Sequence, residues 1–302
     1  MNKPIIVISS HVARGSVGNR AAVFALEVLG HPVWAVPTII LPFHPGHGIA
    51  TRIIPPADQF DGLLNDLLNS RWITEIGAVL TGYLANADQV KAVAKFITAI
   101  KQRSPEVIHA CDPVMGDRPK DGNGRLYIAN ETASAIKEHL VPVADILTPN
   151  RFELSWLTGK TIDTPQQAVD ATAEFKEKKI LVTSMPGYMR GNIGNLLVEG
   201  ETSIFAEHKE LANPPNGPGD LTAALFLSHI SNGVEPAKAL QKTTSSVFEI
   251  VAGAAKRGAD ELMLETDAIS ISKPMTMVQM RNLAQSRFSG SGKTAVVKPT
   301  SL

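Results

Sequence analysis

The chain has 302 residues, 44% of them hydrophobic and 19% charged, enough to bury a sizeable core. Its 29 acidic and 29 basic residues cancel, which argues against nucleic acid or an anionic membrane surface as a partner. A single cysteine, Cys111, excludes an intrachain disulfide framework and fits a reducing compartment. The apolar run Ile5–Ile8 is too short for a signal-peptide core and no stretch is long enough to span a bilayer, so a cytoplasmic protein is expected.

In chain order, the runs Ile5–Ser10, Val33–Pro37, Ala78–Thr81, Val107–Cys111, Ile146–Thr148 and Ile180–Thr183 predict buried strands. Between them, Asn19–Leu29, Gln59–Leu68, Ala87–Gln102, Asn130–Leu140 and Gln166–Glu177 predict helices. This alternation implies an α/β fold, a mostly parallel sheet with helices on both faces. Asn192–Glu199 and Thr202–Ala206, either side of Gly200, predict an antiparallel pair, and Gly219–Ser231, Glu235–Ala255 and Met275–Gln285 predict helices. With no compositional break and no repeat, residues 1–286 read as a single domain. The small, polar residues 287–302 read as a disordered tail.

In an open α/β sheet, ligands gather beyond the carboxyl ends of the strands. The residues that follow the predicted strands are Ser10-His11, Gly82-Tyr83, Asp112-Pro113-Val114-Met115-Gly116, Pro149-Asn150-Arg151-Phe152-Glu153 and Ser184, so polar and acidic groups crowd one edge. Later comes Asn216-Gly217-Pro218-Gly219-Asp220, two glycines and an acid opening an apolar helix. Glycine lets a ligand approach the backbone, and the unpaired N–H groups of a first helical turn, with the helix dipole, suit an anion such as a phosphoryl group. Asp220 at that point could accept the proton of an attacking hydroxyl. Alone, the motif is equally a turn and a cap. The acids upstream shift the balance, because Mg²⁺ in phosphoryl transfer needs few carboxylates and several waters, for which Glu153 and Asp112 are the candidates.

These segments, in this order, resemble the pyridoxal kinases of the ribokinase-like superfamily. Gly217-x-Gly219-Asp220 and Asn150-x-x-Glu153 are shared across the superfamily; Ser10-His11-Val12 with Gly18-Asn19, Gly82-Tyr83 and Asp112–Gly116 point to the pyridoxal kinase branch. The resemblance covers about Ile5 to Lys273. It implies a ribokinase-like three-layer sandwich and ATP-dependent phosphorylation of the 5′-hydroxymethyl group of pyridoxal, pyridoxine or pyridoxamine. It further implies Asp220 as base and Gly217 and Gly219 in the anion hole. Asn150, Glu153 and Asp112 would organise Mg²⁺ and the phosphates, while Thr148, Thr183 and Ser184 lie along ATP. Ser10 and Tyr83 would hold the ring, in a homodimer that takes a B6 vitamer and ATP, with activation by a monovalent cation left open. Two departures stand out. Pro218 lies between the glycines and removes one N–H from the loop. His47, in His44-Pro45-Gly46-His47-Gly48, replaces a ring-stacking tyrosine, which bears on substrate preference more than on reaction type.

Other signals carry less. Gly290–Thr294 resembles a phosphate-binding loop, but Arg287 stands where its first glycine belongs and no strand precedes it. No Gly-x-Gly-x-x-Gly occurs, which disfavours a nicotinamide dehydrogenase. His44 and His47 lie in a Pro/Gly loop without a cysteine near, a poor metal motif, and Cys111 reads as packing rather than a nucleophile served by His109. The alternatives are a hydroxymethylpyrimidine (phosphate) kinase of the same superfamily and a non-catalytic binder of B6 vitamers.

Overall fold

The computed structural model describes residues 2–118 and 124–283. The first half comprises β1 (Ile5–Val12), α1 (Asn19–Val28), β2 (Val33–Leu41), α2 (Ala57–Asn69), β3 (Ala78–Thr81), α3 (Ala87–Arg103) and β4 (Ile108–Cys111). A short hairpin, β5 (Gly116–Asp117) and β6 (Arg125–Leu126), precedes α4 (Asn130–Ala135) and α5 (Val141–Val143). There follow β7 (Ile146–Leu147), α6 (Arg151–Thr158), α7 (Pro165–Thr172), β8 (Lys179–Pro186), β9 (Asn192–Glu199) and β10 (Thr202–Lys209). The chain then forms α8 (Pro218–Ser231), α9 (Pro236–Lys256), α10 (Ala268–Ser272) and β11 (Gln279–Asn282). The predicted tail 287–302 and the Gly290–Thr294 motif lie outside the described residues.

One nine-stranded sheet runs in the order β11-β10-β9-β8-β7-β4-β3-β1-β2. From β2 across to β8 every pairing is parallel, and β9, β10 and β11 continue the sheet antiparallel. The period-2 alternation of β1 shows how the sheet is buried on both sides. Ile6 and Ile8 enter the core beneath α2, α3 and α6, whereas Ile5 and Val7 face that of α1, α8 and α9. Helix α8 lies deepest. Every residue from Leu221 to His229 is buried, because α8 packs on the sheet and on α1 and α9 at once. Its first turn, bearing Asp220, is thereby held at the sheet edge by a rigid element.

Two sequence expectations change. The helix expected over Met275–Gln285 is instead an edge strand as far as it is described: Gln279–Asn282 pairs antiparallel with β10. The exposed edge of β10 offers unpaired backbone groups that a strand satisfies and a helix cannot. The sparse apolar residues there fit one-sided burial, with Val278 6% exposed but Met277 87%. The helix expected over Asn130–Leu140 exists but widens to a π turn at Ile136–Leu140, just before Pro142. Proline has no N–H for the carbonyl four residues back and its ring crowds it, which explains the wider turn. Pro37, inside β2, is tolerated because β2 is the outermost strand.

Candidate active site

The parallel strands share a carboxyl edge, and their loops are tied there by backbone bonds. Gly82 N–H donates to Ile8 O, Asp112 N–H to Thr81 O, Thr148 N–H to Cys111 O and Thr183 N–H to Pro149 O, each within 2.8–3.0 Å. The residues after β1, β3, β4, β7 and β8 therefore form one continuous rim.

At its centre, Asn150 and Glu153 open α6 as a reciprocal cap. Both oxygens of Glu153 accept backbone N–H groups: Oε1 from Met115 at 3.0 Å and Gly116 at 3.4 Å, Oε2 from Asn150 at 2.8 Å. Asn150 Oδ1 accepts from Glu153 N–H, and its Nδ2 donates to Gly116 O at 2.8 Å. These two side chains thus clasp the Asp112–Gly116 loop to the start of α6. Burial nevertheless keeps the Glu153 carboxyl above the ordinary value, outweighing the three N–H donors. Asp112, 8% exposed, is raised too, by burial first, then by Glu153, then by Asp220. The Thr148 hydroxyl faces Asp112 and draws it slightly back, yet Thr148 Oγ1 completes no hydrogen bond of normal geometry.

Asp220 occupies the first turn of α8. Burial raises its carboxyl, and the backbone N–H of Gly18 partly offsets that. Gly82 lies against it, since a Cβ built there would fall 4.0 Å from Asp220 Oδ1. Gly18 in turn is pressed on Ser10, whose Oγ would be 2.4 Å from a Cβ. Ser10, Gly18, Gly82 and Asp220 therefore meet, beside Tyr83, whose N–H donates to Ser9 Oγ at 3.1 Å. Gly217 caps α8 with φ 103° and Pro218 takes the first helical position. There a proline's missing N–H is one the helix would not have used, and its fixed φ suits the turn. Pro218 thus leaves the N–H groups of Gly219 and Asp220 as the donors of the loop's helical end.

Thr183 and Ser184 stand at the end of β8, where the pairing with β9 slips between Val182 and Met185. Ser184 has φ 58° and is exposed, a bulge geometry that turns the strand at the rim. Tyr83 places its hydroxyl 3.0 Å from an Arg52 nitrogen. His47 lies 2.7 Å from Glu261 rather than apart from other charges. Cys111 is fully buried with its thiol pushed up to about 12, and His109 lowered to about 4, both chiefly by burial, so neither suits nucleophilic chemistry. Sequence reasoning missed Gly18 as a support for Asp220. Glu261 was missed as well. Neither has a local signal, because each acts through contacts distant in sequence.

A mostly parallel sheet with helices on both faces, and an acid on a glycine-capped helix facing buried carboxylates at the strand ends, define a ribokinase-like phosphotransferase. Comparison with known proteins narrows this. A family model described as phosphomethylpyrimidine kinase matches residues 58–264. The chain is 33% identical over 285 residues to pyridoxal kinase PdxY of Corynebacterium diphtheriae, covering 93% of this chain and 99% of that one. It is 33% identical over 292 residues to pyridoxal kinase PdxY of Rubrobacter xylanophilus, covering 93% and 97%. The crystal structure of pyridoxal kinase from Entamoeba histolytica superposes with TM-score 0.85 at 25% identity, over 94% of this chain and 100% of that one. Pyridoxal kinase of Leishmania donovani in complex with ADP and pyridoxamine gives TM-score 0.85 at 26% identity, over 93% and 100%. The chain belongs to the phosphomethylpyrimidine kinase family and, within it, to the pyridoxal kinases.

Proposed function

We infer that this protein phosphorylates the 5′-hydroxymethyl group of B6 vitamers, pyridoxal foremost, with ATP as donor. One observation carries this: Asp220 stands on the first turn of α8, faced by the Gly18 N–H and by Asp112, at a rim built from the ends of the parallel strands. Asp220 accepts the hydroxyl proton as the oxygen attacks the terminal phosphorus in line. Its raised pKa brings it nearer the working pH of a general base. Gly217, Gly219 and the N-terminus of α8 stabilise the charge on the transferred group. Ser10 and Tyr83 hold the ring, with His47 at its border, and Thr148, Asn150, Thr183 and Ser184 line the nucleotide phosphates. No phospho-enzyme forms.

Mg²⁺ fits the acid pair. Asp112 and Glu153 are buried carboxylates raised first by burial, Asp112 further by Glu153 and Asp220, so a cation beside them would offset both effects. Among the described residues no group of three or more His, Cys, Asp or Glu is spaced to hold a metal by itself. That suits an ion that keeps water and phosphate as most of its ligands. Glu153 would act mainly through water, its oxygens already accepting backbone N–H groups. Bound there, Mg²⁺ would neutralise phosphate charge.

We further propose that residues 1–286 act as one kinase domain, in the cytoplasm, and as a homodimer. Ile40, Ile49, Ile53 and Ile54 are exposed at and beyond the outer strand β2, an apolar seat for a second copy. No helix among the described residues is long and apolar enough to cross a membrane. A single assay tests the central reading: ATP consumption with pyridoxal, pyridoxine, pyridoxamine and hydroxymethylpyrimidine. Pyridoxal is expected to be turned over. Turnover of hydroxymethylpyrimidine alone would favour the activity that names the family model, and tight pyridoxal binding without ADP release would favour a non-catalytic binder.

A further inference from the structure

Glu261, between α9 and α10, lies where three rim loops meet. Its backbone pairs with Asn216, the residue before the α8 cap Gly217. Its side chain crosses to the loop after β2, where Oε1 lies 2.7 Å from His47 Nε2. On the third side is the loop after β1. Gly15 has φ +104°, and a Cβ there would sit 2.8 Å from the Glu261 carboxyl carbon. The carboxylate is 6% exposed as a residue, and its second oxygen, Oε2, is buried and completes no hydrogen bond among the described residues. Burying a carboxylate with one oxygen unsatisfied is costly, and the His47 contact on Oε1 offsets part of that cost.

That contact ties the loop after β2 to the segment between α9 and α10. Within it the backbone bonds of the tip are local, His47 N–H to His44 O and Gly48 N–H to Pro45 O. Ile49 beyond it is fully exposed. The loop nevertheless rests on the α8 side of the rim, where a Cβ on Gly46 would be 3.7 Å from Asn216 Nδ2. The His44 ring meets that of His47 edge-on, 6.2 Å between centroids at 80°. Outside this core, Asp260 receives Arg14 at 3.0 Å and stands 3.9 Å from His47 Nδ1.

We propose that Glu261 is a positioning residue: by accepting from His47 it seats residues 44–48 as one wall of the acceptor-ring pocket, in register with the loop that presents Asp220. This rests on the B6-kinase reading. It assigns His47 a role as a hydrogen-bond donor to Glu261 and not as a ring stacked on the substrate. Conservative substitutions separate the two. In His47→Gln, the amide nitrogen can stand in for Nε2; in His47→Phe the ring stays and the donor is lost. Likewise Glu261→Gln keeps an acceptor and Glu261→Ala does not.

The experiment is steady-state kinetics of the full chain with pyridoxal and ATP varied separately, alongside thermal denaturation of each variant. For Glu261→Ala and His47→Phe the KM for pyridoxal is expected to rise about 10-fold, with the KM for ATP within about 2-fold of the parent. Glu261→Gln and His47→Gln should recover most of that loss, and the double variant Glu261→Ala/His47→Phe should be no worse than either single one. A His47→Phe enzyme with parental KM for pyridoxal overturns the proposal in favour of a stacking ring. Equal rises in both KM values with a falling Tm overturn it in favour of a purely structural pair. If Glu261→Ala fails to fold, the two His47 variants and Glu261→Gln decide alone. A parent enzyme that does not phosphorylate pyridoxal sinks the B6 reading itself, a result separate from any variant.

Discussion

Asn150 and Glu153 hold one another across the first turn of α6: Asn150 Oδ1 accepts the Glu153 N–H at 2.9 Å, and Glu153 Oε2 accepts the Asn150 N–H at 2.8 Å. The same two side chains reach across to Met115 and Gly116, so a helix cap doubles as the clasp of the loop that carries Asp112. Replacing Glu153 by Ala leaves three backbone N–H groups without their acceptor, a loss of about 3 kcal/mol. Asn150→Ala removes a cap and one cross-loop bond, about 1–2 kcal/mol. Urea denaturation should rank Glu153→Ala below Asn150→Ala, and both should lose turnover through the displaced Asp112. A Glu153→Ala protein as stable as the parent would contradict the clasp.

Asp220 should be separable from nucleotide binding. Asp220→Ala is expected to lower kcat by a factor on the order of 100 to 10,000, the usual value of a positioned base, while ADP affinity measured by calorimetry largely survives. Because burial raises the Asp220 carboxyl, the acid limb of the parent kcat/KM profile should fall at a pH above the ordinary 3.8 of aspartate. Near-parental kcat in the variant would remove Asp220 from its role.

The two glycines of the α8 loop should respond in opposite ways. A Cβ on Gly219 meets nothing within 4 Å, so Gly219→Ala should fold normally, with Tm equal to or slightly above the parent. On the proposed mechanism it should still lose about 10-fold in turnover, because the added methyl would stand where the transferred phosphoryl group is proposed to approach. Gly217 has φ +103°, and its Cβ would lie 2.2 Å from Ser16 O. Gly217→Ala should therefore cost more than about 1–2 kcal/mol in stability, the penalty of the left-handed conformation alone. Thermal melts paired with initial rates check both.

Acid stability should report His109. Burial lowers it from 6.5 to about 4, while its Nε2 lies 3.0 Å from Thr81 Oγ1. Between those values the unfolded chain binds a proton that the native protein does not. The stability from neutral His109 is thus complete above pH 6.5 and is lost as pH falls toward about 4. The loss is at most about 3 kcal/mol for this group, and His229, also lowered to about 4, adds in the same direction. In His109→Gln, the difference in unfolding free energy between neutral pH and pH 4 should shrink, whatever its absolute stability. An unchanged slope would mean that His109 is not the proton acceptor.

Much of the molecule is legible one segment at a time. The β-branched runs at Ile5, Ala78 and Ile146 are strands because their local pattern suits a sheet covered on both sides, and the acids fall at their ends because chain direction alone decides that. Gly217, Gly219 and Asp220 are readable as a loop opening a helix since cap and helix are neighbours in sequence. The segment Gln279–Asn282 is different: its few apolar residues allow a helix, and only the open edge of β10 makes it a strand. The same holds for Gly18 beside Asp220, and for Glu261 beside His47, 214 residues away in sequence. Periodicity and caps record interactions within a few residues. By itself the sequence therefore determined the alternating α/β architecture and the acids of the rim. The partners that hold those acids and loops in place were decided only by the tertiary structure, where burial sets the pKa values and distant backbones supply the hydrogen bonds.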